Sequence, residues 1–125
     1  MSGEELAKIK MVPFSVHGRN LRELRCVISA GHPVTLHHCH GGSMLDMIGG
    51  SGNTRGTSQK TNPFYQIPII MKYHTGEWGI DTGMGVAAWE EQFGKQLDFL
   101  QEVNGLLSYD IFIQAGMWWA EQRGL

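Results

Sequence analysis

A chain of 125 residues with 42% hydrophobic, 18% charged and 10% aromatic residues holds enough apolar material for one folded domain and too much for a disordered polymer. Its formal charge of -2 argues against a strongly basic polyanion binder and leaves only a local patch for that role. No uninterrupted apolar run approaches the ~20 residues of a membrane span, and the acidic start, Met1-Ser2-Gly3-Glu4-Glu5-Leu6, is unlike a secretory signal, so a soluble cytoplasmic protein with no membrane partner is expected. Cys26 and Cys39 are then expected as reduced thiols.

Residues 1–19 show little periodicity, and Pro13 disfavours helix around it, so an extended arm is expected there. Asn20 is placed to cap a short helix with Leu21, Leu24 and Val27 on one face, stopped by Gly31-His32-Pro33. Residues 33–38 (PVTLHH) read as a β-strand, since Val and Thr favour extended backbone. Residues 41–61 are rich in Gly, Ser, Asn and Thr and form a long loop, a length that in small domains marks either function or disorder.

Residues 64–71 (FYQIPIIM) read as a second strand in which Pro68 requires an edge or a bulge. Three helices follow. Val86, Trp89, Glu90 and Phe93 share a face that ends at Gly94; Leu97, Leu100 and Val103 form the next, closed by Asn104-Gly105; Ser108 offers a cap for Ile111, Phe112, Ala115, Trp118 and Trp119. The fold class is therefore α+β, with an arm at 1–19 and a domain at 20–125.

The chemistry-bearing residues are His37-His38-Cys39-His40, followed after the loop by His74 and Asp81. Imidazole binds transition metals and also serves as a base near neutral pH. Successive strand residues point to opposite faces, so His37 and His38 divide their tasks, one facing an ion and the other a substrate. His74 and Asp81, seven apart, are separated by two helical turns or by one turn and a short loop, and either brings both to one ion. Asp81 in Asp-Thr-Gly is equally good turn chemistry. His17 and His32 are expected at the surface, the four tryptophans in the core or an interface, and Met44 and Met47 as residues packing the loop onto the strands.

The order of strand, loop, strand and helix around these histidines resembles the ββα-metal core of HNH endonucleases. Cys26-Val-Ile-Ser29, His37-His38, Ile67-Pro68-Ile69-Ile70, His74, Gly79-Ile-Asp81-Thr-Gly83 and Ala88-Trp89-Glu90-Glu-Gln-Phe93-Gly94 are similar, in order, to motifs of the recombination-enhancement nucleases of phages and prophages. The likeness covers residues 20–100. It implies a metal-dependent DNA endonuclease in which His37 and His74 hold the ion, His38 is the general base and Asn62 helps to orient it. Asp81 stands where the family has His, and its hard oxygen tilts the expected ion toward Mg²⁺ or Mn²⁺. Arg55, Lys60 and Lys72 are the expected phosphate contacts, with His40 as a loop residue beside the phosphate. DNA is the implied partner and a recombinase filament a further one.

The family's zinc knuckle is not preserved. Its four ligand positions read Cys26, Ser29, Ile70 and Tyr73, whereas a closed structural zinc site takes four N or S ligands. Apolar packing of Ile70 and Tyr73 against Val27 or Ile28 is expected in place of a structural Zn²⁺. Two other readings compete: a nucleic-acid-binding module with degraded chemistry, and a small structural or assembly protein with Trp118-Trp119 as a subunit contact.

Overall fold

A computed structural model describes residues 8–47 and 61–124. Most of the Gly-rich loop, with Arg55 and Lys60, lies outside the described residues. Those described form a small α+β domain with five helices and a two-stranded antiparallel sheet: α1 (Phe14–Arg22), β1 (Thr35–His38), a 3-10 turn (Gly42–Met44), β2 (Gln66–Ile69), α2 (Met71–His74), α3 (Val86–Phe93), α4 (Gln96–Asn104) and α5 (Ile111–Gln122). None is long and apolar enough to cross a membrane.

The first helix differs from its expectation. It begins at Phe14, not at Asn20, and Pro13 starts it instead of forbidding it. The first N–H groups of a helix have no intrahelical partner, so a proline at this boundary loses nothing. Its carbonyl accepts from the N–H groups of Val16 and His17, both at 3.0 Å. The buried face is His17, Gly18 and Leu21, and only one of those is an apolar side chain that hydrophobic periodicity registers.

The sheet pairs Thr35 with Ile69, Leu36 with Pro68, His37 with Ile67 and His38 with Gln66. Helices cover both of its faces. A methyl group on Gly18 would lie 3.7 Å from Leu36 Cδ1, so α1 packs on the Leu36 face. His37, pointing the other way, reaches Gln96 of α4 at 2.9 Å. All four residues of β2 are buried as a result. Pro68 stands on an edge as its missing donor demands, and the N–H of Val27 covers that edge by donating to the Pro68 carbonyl at 3.0 Å. Trp89 is fully buried in α3 and its indole N–H donates to Tyr73 O at 3.0 Å, fixing α3 against α2. The cap of α5 is Asp110, two residues beyond Ser108. Its carboxylate accepts from Phe112 and Ile113, and its charge suits the positive end of the helix.

His17 is fully buried, contrary to its expected surface position. Its Nε2–H donates to Phe64 O at 3.2 Å, so Nδ1 accepts from the Tyr109 hydroxyl at 2.6 Å. Burial lowers its pKa from 6.5, with the Phe64 carbonyl pulling part of the way back. A lowered folded pKa means stability that is fully present above the unfolded value of 6.5 and lost as pH falls through the folded value. Urea midpoints compared at about pH 8 and pH 5 should therefore fall more for wild type than for His17→Gln. An equal fall would remove His17 as the cause.

Candidate metal centre

Strand alternation places Thr35 and His37 on the same face of β1, and α2 follows β2 directly, bringing His74 beside them. The rings of His37 and His74 lie 5.3 Å apart, edge to face. After α2 the chain doubles back, so that Ile80 N–H reaches Tyr73 O at 3.1 Å and Asp81 N–H reaches His74 O at 3.2 Å. That return requires glycine at position 79, where a Cβ would lie 2.6 Å from the His74 carbonyl oxygen. Of the two routes open to a seven-residue separation, the chain takes one helical turn and a loop.

Three imidazoles converge on the Asp81 carboxylate. His74 Nε2 is 3.0 Å and His37 Nδ1 is 3.4 Å from Oδ2, while His40 Nε2 is 3.2 Å from Oδ1. The donor atoms of His37, His40 and Asp81 lie within 4.8 Å of one another, a group able to hold a metal ion.

Hydrogen bonds on the far sides of two rings fix their tautomers. The single hydroxyl proton of Thr35 goes to Ile69 O at 2.9 Å, so its oxygen accepts from His74 Nδ1–H at 2.8 Å. Gln96 is oriented by the backbone of His40: its Oε1 accepts from His40 N–H at 3.1 Å and its Nε2 donates to His40 O at 2.9 Å. His37 Nε2 must then be a donor to Gln96 Oε1. The other nitrogen of each ring faces Asp81 Oδ2, bare when the ring is neutral and a donor when it is protonated. Among the described residues, His37 Nδ1 is the buried side-chain nitrogen left without a hydrogen bond.

Burial works against ionising Asp81, but contacts with His37 and His40 and the charge of His37 and His74 outweigh it and hold the carboxyl well below the usual range. Burial, followed by the neighbouring His37, lowers the pKa of His74, against the opposing pull of Asp81. A carboxylate facing imidazole nitrogens is satisfied by a proton on a ring or by a metal ion among them. Second groups that hold metal-binding histidines from behind, as Thr35 and Gln96 hold these, are the usual companions of such ligands.

His37, His74 and Asp81 are therefore brought together, and His40 joins them in place of standing apart in a loop. His38 is exposed at the end of β1; partial burial and then His37 and His74 lower its pKa, with Asp81 opposing. Asn62 is fully buried: its amide donates to Ala115 O at 2.9 Å and its carbonyl accepts from Phe64 N–H at 3.0 Å, tying the approach to β2 to α5. Lys72 is exposed on α2, with Nζ 5.4 Å from the centre of the Trp78 ring. Cys26 and Cys39 are free thiols. Burial, with Glu90 and Asp81 adding to it, pushes the Cys39 thiol far up. Val27, Ile28, Ile70 and Tyr73 are partly buried against the core. Met44 is fully buried and Met47 partly so, packing their segment inward as expected.

Sequence reasoning missed Thr35, Gln96 and Glu90. The Glu90 carboxylate accepts from Ser43 N–H at 2.9 Å and Gln96 N–H at 2.8 Å, holding the turn after β1 and the start of α4 together. A signal for Gln96 was present: Gln96, Leu100 and Val103 share the i, i+4, i+7 stripe of α4 and are all buried. A lone amide on an apolar stripe marks a polar task inside the protein. Comparison with protein-family models, curated proteins and solved structures returns no match.

Proposed function

We propose that this chain is a metal-dependent DNA endonuclease of the HNH type, with β1, β2 and α2 as its ββα-metal core. The observation that carries the reading is the pair of imidazoles, each hydrogen-bonded from behind, whose other nitrogens face one carboxylate. The likeness in motif order and the position of His74 on the helix just after β2 support it.

His37, His40 and Asp81 could hold a divalent ion, with His74 beside them on the same carboxylate in the ligand place that the motif order gives it; such an ion would supply positive charge to a phosphodiester and its leaving oxygen. His38, on the outward side of the same strand end, accepts the proton of the attacking water. The water oxygen bonds to phosphorus, the bond from phosphorus to the 3′ oxygen breaks, and that oxygen takes a proton from solvent. Thr35 and Gln96 keep the imidazole nitrogens aimed, so the centre needs little rearrangement to bind. Lys72 offers a cation to a neighbouring phosphate, with Arg55 and Lys60 as the further contacts that the sequence suggests.

The test is nicking of supercoiled plasmid with Mg²⁺, Mn²⁺, Co²⁺ or Zn²⁺ added singly to chelator-treated protein. Nicking by wild type with at least one ion, and none by Asp81→Ala, is expected. No nicking by wild type with any ion overturns the proposal.

A further inference from the structure

Three of the ten lysine and arginine side chains fall within seven residues, Arg19, Arg22 and Arg25, and all three are exposed. Arg19 and Arg22 occupy the last turn of α1, and Arg25 follows just beyond it. At about 3.6 residues per turn, Arg22 borders the buried stripe of His17, Gly18 and Leu21 on its Gly18 side. Arg19 stands next to it, with the Glu23 carboxylate beyond Arg19. A methyl group on Gly18 would lie 3.2 Å from Arg22 Nη1 and 3.7 Å from Leu36 Cδ1, so this guanidinium lies along the seam between α1 and β1. Leu36 and the exposed His38 share a face of that strand, about 6.6 Å apart along it. The arginines and His38 therefore stand on one side of the sheet. Cations in a last helical turn suit its negative end, but that accounts for neither the third arginine nor the place of Arg22. The ion pairs among the described residues all join a histidine to Asp81, so none of the three arginines is paired with a carboxylate there. Arg25 Nη1 donates to Ala30 O at 3.2 Å, which occupies a donor and leaves the charge uncompensated.

We propose that Arg19, Arg22 and Arg25 form a phosphate track that holds a DNA backbone against α1 and leads it past Leu36 to His38. The proposal rests on reading the chain as a DNA endonuclease. Guanidinium keeps its charge at any working pH, and its planar fork meets phosphate oxygens two at a time. Contacts of this kind position a duplex without reading its sequence. They also answer the acidic total: a net charge of -2 gives no attraction to DNA, whereas a local row of cations steers a polyanion to one side of the molecule. The side it selects is the one on which His38 is exposed.

Fluorescence anisotropy of a labelled DNA duplex, measured with chelator present over a series of KCl concentrations, reads this contact without cleavage. Wild type should bind, and more weakly as salt rises. Arg19→Gln, Arg22→Gln and Arg25→Gln should each make the slope of log affinity against log salt shallower by about 1, the effect of one lost phosphate contact. Arg22→Lys keeps the charge and should keep the slope. Lys95→Gln removes one exposed charge next to Gln96, on the other side of the sheet, and should leave the slope at the wild-type value. Unfolding midpoints close to wild type show that a lost slope is not a lost fold. Wild-type slopes in all three arginine variants overturn the track, and so does an equal loss in Lys95→Gln, which would make the effect one of net charge. Wild type that binds phosphatidylserine vesicles and not the duplex, or that binds neither, overturns DNA as the occupant. The plasmid assay fails separately. Nicking by wild type with unchanged slopes removes the track and leaves the nuclease; shallower slopes without nicking remove the nuclease and leave a DNA-binding surface.

Discussion

His38→Ala should slow plasmid nicking by about 10²–10⁴-fold, the range for a lost general base, while metal affinity stays at the wild-type value. The separation follows from the strand. His37 points inward and is fully buried, whereas the next residue, His38, is exposed on the other side of β1. A ring on the outward side is free to meet water and contributes no partner to the Asp81 carboxylate. Partial burial and the imidazoles of His37 and His74 lower its pKa, which keeps it in the neutral form a base requires. The measurement pairs nicking rates with a metal titration of the same preparation. A variant that nicks at the wild-type rate removes His38 as the base, and one that also loses metal makes it a ligand.

Gln96→Leu should weaken metal binding by about 10–100-fold, as removal of a partner behind a metal-binding histidine does. It should also destabilise the fold. The amide serves His37 Nε2–H, His40 N–H and His40 O at once, and is itself fully buried. Leucine fills a similar volume but leaves these groups without a partner, at a cost of about 1–3 kcal/mol for each one that water cannot reach. The two effects separate by measuring the rise in unfolding midpoint on adding metal. A structural role alone lowers the metal-free midpoint and leaves that rise unchanged; the positioning role shrinks the rise as well. An unchanged rise in Gln96→Leu overturns the assignment of Gln96 as the residue that aims His37.

Much of the candidate centre was legible one residue at a time. His37, His74 and Asp81 are uncommon residue types set beside a β-prone run and a Gly-punctuated turn, and each is found at the cluster. The strands and the three C-terminal helices also follow from local pattern, because burial at period 2 or 3.6 shows in the order of apolar residues. Helix α1 was not legible in that way. Its inward face carries His17 and Gly18 beside Leu21, chosen for a hydrogen bond to Phe64 O and for close approach to Leu36, and neither registers as hydrophobic.

The sequence by itself determined the α+β class, the two-strand pairing with Pro68 at an edge and the histidines and aspartate from which a centre is built, since propensity and periodicity are local properties. The tertiary structure decided which of them meet and in what protonation geometry. Asp81 reaches His74 only because the chain doubles back at Gly79, and His40 joins only because Gln96, 56 residues away, grips its backbone. Tautomers depend on the atom behind each ring, here the Thr35 hydroxyl and the Gln96 amide, and those contacts exist only once β1 lies against β2 and α4.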